Sequence, residues 1–180
     1  RWPWVRRNAP PMEAKATELA QAAKSNQLQT MERLIAEGVS ADAKDGHGQP
    51  ALALAAFGGH LDALKLLRRH GANLDATDTR RRTALMAAVR EGKADCAEAL
   101  LEWGADKDAA DNHGSTALHW AADGGRLECA RLLVRARADR AKKNNKGKTA
   151  LEDARQRGKG KVVKLLEQAD ANVSAARLPL

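Results

Sequence analysis

The sequence predicts an all-α solenoid of helix-turn-helix units joined by hairpin loops. Three observations predict it. Leucines recur at a step of 33 residues, at Leu19, Leu52, Leu85, Leu118 and Leu151, and again at Leu34, Leu67, Leu100, Leu133 and Leu166. Glycines keep the same step, at Gly38, Gly71 and Gly104, and at Gly59, Gly92, Gly125 and Gly158. The chain is 43% hydrophobic but only 3% aromatic, with one Phe and no Tyr, so its core is made of Ala and Leu and its helices can approach closely. A unit this small cannot bury its apolar face alone. Stacked neighbours supply the missing surface, so apolar columns repeat while polar positions diverge.

Taken in order, residues 1–11 (RWPWVRRNAPP) are basic, broken by proline and unlike any repeat. Five approximate units follow, at 12–44, 45–77, 78–110, 111–143 and 144–169, and then a tail at 170–180 that begins like another loop. The first unit carries Glu18, Gln21 and Lys24 on its first helix, and the last carries Lys161, Lys164, Glu167 and Gln168 on its second. Polar outer faces of this kind read as the caps of a complete array. In the unit at 111–143, Thr116 is an N-cap whose hydroxyl satisfies an orphan backbone N–H. Leu118, Ala121 and Ala122 then share one helix face. Gly124 and Gly125 end that helix, and Leu127, Ala130, Leu133 and Val134 line the next. Thr149 and Glu152 have the spacing of a reciprocal capping box.

Composition excludes several function classes. No apolar run approaches the ~18 residues of a membrane helix, and no secretory leader is visible. Two cysteines, Cys96 and Cys129, are too few for a disulfide scaffold. Standing one unit apart, they are about 10 Å from each other by helix packing distance, beyond the reach of a disulfide. The reading is two free, buried thiols in a reducing intracellular compartment, the cytoplasm or an organelle matrix. The net charge of +8 is uneven: residues 126–164 hold fourteen Lys/Arg against four Asp/Glu, which makes the C-terminal end electropositive. No metal-ligand spacing and no catalytic triad is readable. The glycine-rich run from Arg157 to Lys161 follows a helix and lacks phosphate-loop spacing, so it reads as a turn.

The units resemble ankyrin repeats. The resemblance rests on TALM (83–86), TALH (116–119) and TALE (149–152), on GGHLDALKLL (58–67), and on HGANLDA (70–76) and WGADKDA (103–109). It covers nearly all of residues 12–169. Three departures stand out. Pro50 replaces the capping Thr, and Arg81 and Arg137 stand where the pattern has glycine. The resemblance implies that His119 bonds Thr116 and ties helix to hairpin, and that His60 and His70 are ordinary turn and loop histidines. Trp120 is expected in the inter-repeat core, while Trp103 either packs under a loop or anchors a partner.

The resemblance also implies a non-enzymatic interaction module or scaffold that binds through its concave face and hairpin tips. Those positions here are His47, Gln49 and Phe57, then Arg80, Arg81, Arg82 and Arg90, then Asn112, His113, Ser115 and Asp123, and finally Lys143, Lys146, Lys148 and Arg157. Three consecutive arginines at one tip suit bidentate pairing with carboxylates, so the expected partner is a protein with an acidic surface. The alternative is an accessory subunit of a large assembly, a ribonucleoprotein for instance, with its basic C-terminal repeats on nucleic acid. Neither cofactor, metal nor small-molecule substrate is expected.

Overall fold

Each pair of apolar columns becomes a pair of antiparallel helices. A computed structural model describes the backbone of residues 11–175 and the side chains of residues 11–171. The tryptophan-bearing segment before Pro11 lies outside the described residues. The helices are α1 (Met12–Lys24) and α2 (Leu28–Ala36), α3 (Ala51–Gly58) and α4 (Leu61–Arg69), α5 (Ala84–Glu91) and α6 (Ala94–Glu102), α7 (Ala117–Gly124) and α8 (Leu127–Arg135), and α9 (Ala150–Gln156) and α10 (Gly160–Ala175). The odd-numbered helices pack against one another in sequence, and so do the even-numbered ones. Between the pairs run hairpins. Among the described residues the only β pairing is an isolated bridge between Lys44 and Pro50.

One core runs the length of the stack. The second leucine column is sealed, with Leu34, Leu67, Leu100 and Leu133 each 0% exposed and Leu166 1%. Alanines fill the spaces between paired helices, including Ala20, Ala55, Ala88 and Ala121. Cys96 and Cys129 are free and buried. Burial pushes the Cys96 thiol up to about 11 and raises that of Cys129 too.

Left-handed residues turn the chain at every junction. Gly59, Gly92, Gly125 and Gly158 all have positive φ, and Asn26 takes their place in the first unit at φ 55°, a conformation asparagine adopts readily. The two arginines in glycine positions keep the repeat geometry: φ is 59° at Arg81 and 57° at Arg137. Arg137 stands in the column of Gly38, Gly71 and Gly104, where an added Cβ meets nothing within 4 Å. Its cost is therefore backbone strain alone, about 1–2 kcal/mol. Its exposed side chain makes no hydrogen bond or ion pair. Glycine would also loosen the unfolded chain, which offsets part of the gain. Arg137→Gly is expected to stabilise by about 0.5–1 kcal/mol, seen as a rise of ~1–4 °C in the thermal midpoint. A fall would mean that the arginine makes a contact that holds the loop.

The capping signals resolve as follows. Thr83 Oγ1 accepts from Met86 N at 3.3 Å. Thr149 and Glu152 form the reciprocal box, with Thr149 N donating to Glu152 Oε2 at 2.7 Å. That backbone N–H holds the Glu152 carboxyl below its usual value. Pro50 caps α3 without a side-chain bond. At the first unit an ion-pair network of Lys15, Glu37, Arg33 and Glu18 covers the outer face. At the other end α10 continues through Ala175, past residue 169 where the sequence pattern stopped. The register of Gly38, Gly71, Gly104 and left-handed Arg137 is occupied there by Asp170, which stays helical, so nothing turns the chain.

Loops are stitched from unit to unit. Asn73 N donates to Asp42 Oδ1 at 2.7 Å, Asp106 N to Asp75 Oδ1 at 2.8 Å, and Asp139 N to Asp108 Oδ1 at 2.7 Å. Arg126 Nε donates to Arg90 O at 3.0 Å, and His60 Nε2 lies 2.9 Å from Lys24 O. The second helices α4 and α8 are thereby fastened to the first helix of the unit before.

Candidate functional site

The hairpins and the first helix of each pair enclose one face of the stack. Each hairpin is built on an Asx residue whose Oδ1 accepts two backbone N–H groups. Asp45 Oδ1 takes His47 N and Gln49 N, Asp78 takes Arg80 N and Arg82 N, Asp111 takes His113 N and Ser115 N, and Asn144 takes Lys146 N and Lys148 N. An Asx side chain that folds back on its own loop gives four tips of one shape. The last three tips are also joined to one another, with Asn112 N donating to Arg80 O at 3.0 Å and Asn145 N to His113 O at 2.9 Å.

Thr116 and His119 form the expected link. The His119 ring is 2% exposed. Its Nδ1 accepts from Thr116 N at 3.2 Å and lies 2.9 Å from Thr116 Oγ1. The proton therefore sits on Nε2, which donates to Lys148 O at 3.0 Å in the next hairpin. Both ring nitrogens are engaged in holding helix to hairpin.

Two grooves open on this face. The first, about 240 Å³, has an apolar floor of Ala53, Leu54, Phe57, Met86, Ala87 and Trp120, with Gln49, Arg82 and Arg90 at its rim. The second, about 620 Å³, is polar and gathers His113, Ser115, Asp123, Lys146, Lys148 and Arg157. His47, Arg80, Arg81, Asn112 and Lys143 lie outside both grooves, all exposed on the hairpins.

Trp120 differs from expectation. It is half-buried on the inner face and forms a wall of both grooves rather than filling the inter-repeat core. Its indole N–H donates to Asp111 Oδ2 at 3.2 Å, which holds the ring on the inner face. The signal was present, since Trp120 precedes Asp123 by three residues and so shares its helix face. Met86 and Ala87 were missed for the same reason. Trp103 caps the end of α6 with the Arg68 guanidinium 4.6 Å from its ring centre.

Electrostatics separate engaged charges from free ones. Arg82 is no free finger, since its Nε and Nη2 bind Asp78 Oδ2 at 2.7 and 2.6 Å. Burial opposes ionisation of Asp78, but the hydrogen bonds from Arg82 and Arg80 outweigh it and hold the carboxyl below its usual value. Arg157 pairs with Asp123 at 2.6 Å, and Arg90 with Glu91 at 2.9 Å. Arg90 also lies 5.3 Å from the Phe57 ring centre and 6.0 Å from that of Trp120. Asn144 Nδ2 donates to Asp153 Oδ2, and Lys148 Nζ to Gln156 Oε1. Arg80, Arg81 and Lys146 have no side-chain partner, and Lys143 makes no hydrogen bond or ion pair but its charge favours the ionised Glu152 carboxyl. The carboxylates of this face are thus satisfied internally, and its free charges are cations.

Among the described residues no three His, Cys, Asp or Glu side chains gather to hold a metal ion, and no helix is long and apolar enough to cross a membrane. A comparison with curated proteins finds no match. The family model for ankyrin repeats, in three copies, matches residues 19–111 and again 104–176. That family is generally one of protein-binding modules that do no catalysis. With ten helices in pairs among the described residues, a left-handed turn at each junction and Thr-Ala-Leu caps at Thr83, Thr116 and Thr149, this chain belongs to the ankyrin-repeat family.

Proposed function

We propose that the chain is a non-enzymatic scaffold whose concave face and hairpin tips bind a protein partner through an acidic segment. One observation carries this reading: Asp78 and Asp123 are paired with arginines and Asp153 is bonded to Asn144, while Arg80, Arg81 and Lys146 are exposed and unpaired. A surface of this kind attracts carboxylates and repels cations, which raises association rates and selects among partners. The apolar groove at Phe57 supplies area that a partner side chain can fill.

The test is capture from native lysate with the full chain as bait, with and without nuclease, at two salt concentrations. The expected result is a protein with an acidic segment that survives nuclease and weakens at high salt. Loss of all captured material after nuclease would overturn the reading and assign the basic C-terminal repeats to nucleic acid, whose binding falls steeply with salt.

A further inference from the structure

The tips of the four hairpins form a column of one chemical kind. His47, Arg80, His113 and Lys146 stand 33 residues apart. Each occupies the same place in its hairpin, with its N–H donating to the Asx Oδ1 at 2.9, 2.8, 2.8 and 3.0 Å. All four side chains are exposed and none makes a hydrogen bond or ion pair. Each carries an N–H that can donate to a carboxylate. The neighbouring column of Gln49, Arg82, Ser115 and Lys148 has no such uniformity.

The spacing of the last three tips in this column is set by backbone, because Asn112 N bonds Arg80 O and Asn145 N bonds His113 O. Helices packed side by side repeat at about 8–10 Å, so the tips repeat at that distance. An extended β-strand does not match it. Its side chains alternate, so every third residue points the other way. Nor does this face provide a ladder for a strand, since the tip N–H groups at His47, Arg80, His113 and Lys146 are already bonded to the Asx side chains. A polyproline II helix does match. It has three residues per turn at ~3.1 Å each, so every third side chain returns to the same face after about 9.3 Å, and its backbone needs no partner.

Resting on the reading of an acidic partner, we propose that the tip column receives a segment in polyproline II conformation with a carboxylate at every third residue, one carboxylate per hairpin. The expected occupant is a solvated, proline-bearing acidic stretch.

The test uses the full chain and labelled synthetic peptides, followed by fluorescence anisotropy. The periodic probe is Asp-Pro-Ala repeated four times. The block probe has the same composition with its four Asp adjacent. The neutral probe replaces each Asp of the periodic peptide by Asn. The expected order is periodic over block by about fivefold or more, with the neutral peptide weakest. Arg80→Ala combined with Lys146→Ala should remove the preference for the periodic probe while leaving the thermal midpoint unchanged. Equal binding of the periodic and block probes would overturn the register and leave the acidic reading standing. Neutral binding as tight as acidic, or no binding by any probe, would overturn both. An oligouridylate that displaces the periodic probe at lower concentration than the block probe does would assign the column to phosphates instead.

Discussion

Leu118→Ala is expected to lower stability by about 2–5 kcal/mol, the range for a large-to-small change in a sealed core. Leu118 is 1% exposed, on α7. That helix packs against α5 on one side and α9 on the other. In a stacked array, stability is the sum of unit terms and neighbour interfaces. A cavity in a central unit therefore weakens two interfaces, and an equivalent cavity at an end weakens one. Leu151, the same register in the last unit, is only half-buried, so Leu151→Ala should cost clearly less. Urea and thermal unfolding of the two variants side by side measure the difference. A loss below about 1 kcal/mol at Leu118 would mean that α7 can collapse onto its neighbours and close the void.

Reversing two charges at one tip gives the second large effect. Arg80→Glu with Arg81→Glu should weaken binding of an acidic partner by roughly tenfold or more, since two attractive pairs become repulsive ones. Stability should hold, because both side chains are exposed and unpaired and the hairpin depends on Asp78 and on backbone groups. The effect should shrink in high salt. Arg82 does not belong in this experiment, although the sequence groups it with the other two. Glutamate there would face Asp78, whose carboxylate Arg82 now binds, and a loss of fold would be mistaken for a loss of binding. Unchanged affinity in the double variant would remove this tip from the interface.

Much of the fold was legible because a solenoid writes its tertiary contacts into its period. Leu67 and Leu100 are both sealed for the same reason, and seeing one column repeat is enough to place the other. The Thr149–Glu152 box was also legible, being a local bond between residues three apart, and the Thr116–His119 pair was legible through the family resemblance. Arg81 and Arg137 were readable as departures. Only the backbone decides what an arginine does there, and both adopt the left-handed turn of the glycines they replace.

The sequence by itself determined the repeat, the pairing of helices and the burial of both cysteines. The reason is that these follow from periodicity and apolar pattern, which are properties of residue order. Only the tertiary structure decided which charges on that face are free. Arg82 and Arg157 are consumed by Asp78 and Asp123, while Arg80 and Lys146 are left without partners. Trp120 likewise became a groove wall because Asp111 holds its indole N–H. Pairing between side chains depends on distances of a few ångströms across loops and helices, and the order of residues along the chain does not encode them.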